Sequence, residues 1–84
     1  MDVTWTPKAL KQLKKLNNKP TQSRILSATA ALERFPDAAN VKALTDHQYG
    51  YRLRVGNYRV FFNVLAAVSI VSIEEVKKRN ERTY

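Results

Sequence analysis

The chain predicts an α+β fold in the order β-α-α-β-β-β. A helical hairpin packs on one face of a four-stranded, mostly antiparallel sheet. Apolar residues recur at helical spacing between residues 7 and 35, and they alternate with polar ones between residues 51 and 64. A length of 84 residues suits one domain, residues 1–84, with a single small core.

Val3-Thr4-Trp5-Thr6 has the β-branched and aromatic composition of a short first strand. Thr6-Pro7 opens a helix, with Thr as the N-cap and Pro at the first helical position. Leu10, Leu13 and Leu16 form its apolar stripe, and Asn17-Asn18-Lys19-Pro20 breaks it. A second helix starts at Pro20 or Thr21 and reaches about Phe35, with Ile25, Ala28, Leu32 and Phe35 on one stripe. Pro36 stops it, because the residue before a proline is pushed out of the α region. Residues 37–48 read as a connecting loop, with room for one helical turn around Val41–Leu44.

A hairpin follows in GYRLRVGNYRVFFNV, residues 50–64. Side chains two apart in a strand share a face, so Arg52 and Arg54 lie on one side and Leu53 and Val55 on the other. Gly56-Asn57 is the turn. In the next strand Val60, Phe62 and Val64 face one way, and Arg59, Phe61 and Asn63 the other. Ala66-Ala67 makes a second turn and Val68–Ile73 a last β-rich run. From Glu74 the pattern turns polar and fits a strand end, a loop or a short helix.

Composition narrows the function. Fifteen basic residues against seven acidic ones give a formal charge of +8, with a pI near 10.1. That excess points to a polyanionic partner. There are no cysteines, so disulfides and cysteine-based zinc sites are excluded and a reducing cytoplasm is the expected compartment. One histidine makes a dedicated metal site unexpected. No apolar run approaches the roughly 20 residues of a membrane span, and the N-terminus lacks a signal-peptide core, so no membrane association is expected.

The hairpin arginines are the main candidate site. A solvated antiparallel face is the plain reading. Such faces normally mix charge signs, however, and here Arg52, Arg54 and Arg59 share a face with no acid beside them in the hairpin. Like charges across a sheet repel, and guanidinium matches phosphate geometry. Phe61 falls on the same face, either as part of a minor cluster with Val71 or Tyr58 or as a platform for a base. His47 reads as an exposed loop histidine just ahead of the first arginine strand. Lys77, Lys78, Arg79, Arg82 and Tyr84 form a basic ending with one aromatic, which a strand beside the ribbon would bring to the same surface.

These residues resemble the RelE/ParE superfamily of bacterial type II toxin–antitoxin toxins. The likeness runs from VTWTPKALKQLKKL, through ERFP, to YRLRVGNYRVFFNV and KKRNERTY. Its most specific part is YRLRVGNYRVFF, which fits the superfamily's hairpin pattern Y-(R/K)-(L/I)-(R/K)-x-G-x-Y-R. The resemblance implies a RelE-like fold. It also implies a ribosome-dependent endoribonuclease, an mRNA interferase that cuts A-site mRNA by 2′-OH attack and so inhibits translation. Arg52, Arg54 and Arg59 would then hold and neutralise the phosphate, with Lys78 assisting and Tyr84 stacking on a base. Lys77, Arg79, Arg82 and Phe61 would bind RNA. No cofactor is expected. The implied partners are the ribosome with its mRNA and an acidic antitoxin, through which operator DNA is bound. The toxin alone is expected as a monomer, and with antitoxin as a hetero-oligomer.

One departure matters. The RelE type commonly carries lysines where this chain has Arg52 and Arg54, and an arginine scarcely gives up a proton near neutrality. Base duty would fall to Lys78, His47, Tyr84 or a ribosomal RNA group. The ParE branch, a DNA gyrase inhibitor without nuclease activity, shares the hairpin and is the alternative. A third reading is a plain RNA- or protein-binding module.

Overall fold

The structure is a computed structural model that describes residues 1–79. Five strands form one mixed sheet in the order β1-β5-β4-β3-β2. They are β1 (Asp2–Trp5), β2 (Val41–Ala43), β3 (Tyr51–Val55), β4 (Tyr58–Leu65) and β5 (Ile70–Lys78). β1 runs parallel to β5, and all other neighbours are antiparallel. Helices α1 (Pro7–Lys14) and α2 (Lys19–Ala30) follow β1, and a 3₁₀ turn over Ala31–Arg34 ends the helical segment. Among the described residues no helix is long and apolar enough to cross a membrane.

The expected architecture holds, with five strands in place of four. The extra strand, β2, lies where the sequence leaves room for a helical turn. It pairs Val41 with Leu53 and Ala43 with Tyr51 on the edge of β3. Three residues are too few for alternation to show, so the pairing partner sets the conformation. β5 also runs on through Glu74–Lys78, since the ladder to β4 continues as far as Lys78 opposite Tyr58.

Both helix starts are built from local chemistry. The Thr6 hydroxyl accepts from the Ala9 N–H at 3.1 Å, and the Asn18 amide oxygen from the Thr21 N–H at 3.0 Å. The helices bury Ala9, Leu13 and Ile25 against Leu53, Val60, Phe62, Val71, Ile73 and Val76 of the sheet. The stripe of α1 is thus Ala9–Leu13 with half-buried Leu16, and Leu10 turns outward, 38% exposed.

β1 stops at Trp5, opposite Ile73, and α1 takes over its place along the outer edge of β5. The Thr6 N–H donates to the Ile73 carbonyl at 3.0 Å, and the Gln12 side-chain oxygen accepts from the Val76 N–H at 2.7 Å. An edge amide that would otherwise be orphaned is thereby satisfied. Between these two contacts β5 carries a bulge. Phe62 pairs with Ile73 and Phe61 with Glu75, so Glu74 is the extra residue. The bulge resets the alternation and puts Glu75 and Lys77 on the face away from the helices.

Gly56 turns the β3–β4 hairpin with φ +56°. It is the first of the two central residues, the place where a type II′ turn puts glycine.

Candidate functional site

Residues directly opposite one another in antiparallel strands share a face. On the side away from the helices this rule yields two rows across the sheet. The first is Arg54–Arg59–Lys77, running from β3 through β4 to β5. The second is Lys42–Arg52–Phe61–Glu75, running from β2 to β5. Neighbouring strands lie about 4.8 Å apart and successive same-face residues about 7 Å apart. Five cations therefore occupy a patch of roughly 15 by 7 Å.

The patch is nearly free of compensation. Among the described residues the only ion pair within 4.0 Å joins Lys8 to Glu75, at 3.4 Å. That pair occupies the one carboxylate of the two rows, and no described acid reaches Arg52, Arg54, Arg59 or Lys77. Lys8 also donates to the Tyr49 hydroxyl at 3.5 Å. That hydrogen bond, and then the nearby Glu75 charge, hold the Lys8 ammonium above the ordinary lysine range. Arg54 and Lys77 are exposed, while Arg52 and Arg59 are half-buried. The Nε of Arg52 is buried with no hydrogen-bond partner among the described residues. An unanswered donor of this kind favours an anionic acceptor.

The sequence leaves this whole face open. The structure instead folds the 44–50 loop over one end of it. The Leu44 N–H donates to the Gly50 carbonyl at 2.9 Å and closes the loop. The Gly50 N–H donates to the Asn63 side-chain oxygen at 2.8 Å and ties the loop to β4. Tyr49, within the loop, is buried, 8% exposed. The His47 ring lies nearly parallel to Phe61, 15° apart with centroids at 5.2 Å, and Tyr49 leans on Phe61 at 5.7 Å. Phe61 is therefore packed by His47 and Tyr49, and not by Val71 or Tyr58. The sequence signals Tyr49 only as an aromatic residue beside Gly50 at the end of a polar loop.

The basic ending divides. Lys77 stands opposite Arg59 and joins the cation row. Lys78, expected with the arginines, is opposite Tyr58 on the helix side of the sheet. The register of β5 decides this, since one residue along a strand reverses the face. The Arg79 N–H donates to the Asn57 carbonyl at 2.6 Å, which sets Arg79 beside the hairpin turn. Arg82 and Tyr84 lie outside the described residues. Among the described residues no three histidine or carboxylate side chains gather as a metal-holding group.

Two helices packed on a mixed five-stranded sheet make up the architecture of RelE-like structures. Several solved structures share it. The RelE–RelB complex of the archaeon Pyrococcus horikoshii OT3 matches with a TM-score of 0.78 and 27% identity, covering 95% of this chain and 96% of that one. The RelBE2 toxin–antitoxin complex of Mycobacterium tuberculosis matches with a TM-score of 0.78 and 23% identity, covering 93% and 96%. The YoeB/ParE toxin of Agrobacterium tumefaciens matches with a TM-score of 0.75 and 13% identity, covering 95% and 100%. Comparison with curated protein sequences found no match. The family model described as the ParE toxin of type II toxin–antitoxin systems, parDE, matches residues 3–82. The chain belongs to that family, within the RelE/ParE superfamily of type II toxins.

Proposed function

We propose that this toxin is a ribosome-dependent endoribonuclease that cuts mRNA in the A site. The observation that carries the reading is the Arg54–Arg59–Lys77 row with Arg52 beside it, free of described carboxylates. In the reaction the ribose 2′-oxygen attacks the adjacent phosphorus and the bond to the 5′-oxygen breaks. A 2′,3′-cyclic phosphate forms, and the leaving oxygen ends as a 5′-hydroxyl. Negative charge builds on the non-bridging oxygens, which is where fixed guanidiniums are most effective. These arginines hold the phosphate and neutralise it, while the 2′-proton passes to another group. Holding the 2′-oxygen in line with phosphorus supplies further rate.

The partner that silences such a wall is an acidic antitoxin, and two of the similar structures are toxin–antitoxin complexes. Complementary charge would speed that association. Operator DNA would then be reached through the antitoxin, by analogy of family.

One observation favours the second reading, a gyrase inhibitor without nuclease chemistry. Arginine at both 52 and 54 leaves the first strand of the hairpin without a proton acceptor. Cleavage of a defined mRNA on programmed ribosomes tests the proposal. Arg59→Ala should slow the cut about a hundredfold with the fold unchanged, as for loss of one donor to a developing oxyanion. Cleavage at the wild-type rate in that variant removes Arg59 from the site.

A further inference from the structure

We infer that the outer face of the His47 ring is a nucleobase-stacking position beside the cation rows. The inference rests on the nucleic-acid reading above. His47 is exposed, yet its ring is not free to wander. One face lies flat against Phe61, and its Nδ1 accepts the Tyr49 N–H at 3.0 Å. Tyr49 is itself buried, and the loop that carries both residues is closed at Leu44–Gly50 and tied to Asn63. A planar ring is thus fixed nearly parallel to the sheet-borne Phe61 on a residue that is itself exposed.

Its setting matches what a single strand requires. Arg52 stands directly opposite Phe61, and Arg59 is two residues along the same strand on the same face. A phosphate held by those guanidiniums would leave its neighbouring base within reach of the imidazole. Every base has a π-face, so such a platform grips without reading sequence. The fixed ring also loses little conformational freedom when a base lands on it. Packing alone would account for Tyr49 and Phe61, which are shielded. It does not account for an exposed histidine ring held nearly parallel to Phe61 and tilted 45° to Tyr49.

The test uses the full chain and fluorescein-labelled RNA hexamers carrying 2′-O-methyl groups, which cannot be cut. One base at a time is replaced by an abasic site. Wild type should lose about tenfold in affinity at one position, the size of one stacking contact. His47→Ala should bind the intact hexamer about tenfold more weakly and show no further loss at that abasic position. His47→Phe, which keeps the flat ring, should restore the abasic penalty. Arg59→Ala should weaken every hexamer alike. An abasic profile in His47→Ala identical to wild type, with Arg59→Ala still weakened, overturns the stacking position alone. Wild-type binding no stronger than that of Arg59→Ala overturns the nucleic-acid reading with it.

Discussion

Arg54 and Arg59 face each other directly across the β3–β4 hairpin, with Lys77 next in line on β5. Three cations in one row repel, and no described carboxylate lies within 4.0 Å of them. The arrangement is a cost to the fold that an anionic ligand relieves. Arg54→Glu should therefore stabilise the free protein by about 0.2–1 kcal/mol, the range of cross-strand charge pairs. The same change should abolish growth inhibition. Urea denaturation read beside a toxicity assay checks both, and a variant both less stable and still toxic would contradict this account of the row.

Gln12 and Val76 make the joint between α1 and the edge of β5. The Gln12 oxygen is the acceptor for the Val76 N–H at 2.7 Å, and Val76 is buried. Gln12→Leu keeps the bulk and removes the acceptor, so it should cost about 1–3 kcal/mol, the penalty of a buried unsatisfied amide. Gln12→Glu retains an acceptor and should cost clearly less. Chemical denaturation of the two variants distinguishes a hydrogen bond from simple packing.

Much of this fold is legible in the sequence. Thr6-Pro7 marks α1, Asn17-Asn18-Lys19-Pro20 marks the break before α2, and the alternation through residues 51–64 fixes which arginines share a face. β2 is not legible, because Val41–Ala43 is a strand only by virtue of its neighbour β3. The placement of Lys78 is hidden for a similar reason. The bulge at Glu74 shifts the parity of β5, and no local pattern announces it. The lid over Phe61 depends on Asn63 catching the Gly50 amide, a contact between residues 13 apart. Long-range pairing thus decided each element that sequence left open.

Lys8 offers a pH-dependent check on the loop. Its hydrogen bond to Tyr49 and its attraction to Glu75 raise its pKa above the ordinary 10.5. A raised folded-state pKa stabilises fully below the unfolded value and is lost as pH climbs through the folded one. Wild type should hold a constant stability margin over Lys8→Met through neutral and mildly alkaline pH. The margin should shrink once the pH passes the ordinary lysine range. The side chain is exposed, so the effect should also fade in high salt. A margin that grows with alkalinity would contradict the contact.

Action of the cation wall on RNA is the proposal on which the rest depends. Its most direct test is a transcriptome-wide map of mRNA 5′ ends after induction, with gyrase-dependent DNA cleavage assayed in the same cells. New ends are expected at fixed positions within codons, dependent on Arg59, with undamaged DNA. Gyrase-dependent breaks without codon-phased ends would contradict the proposal.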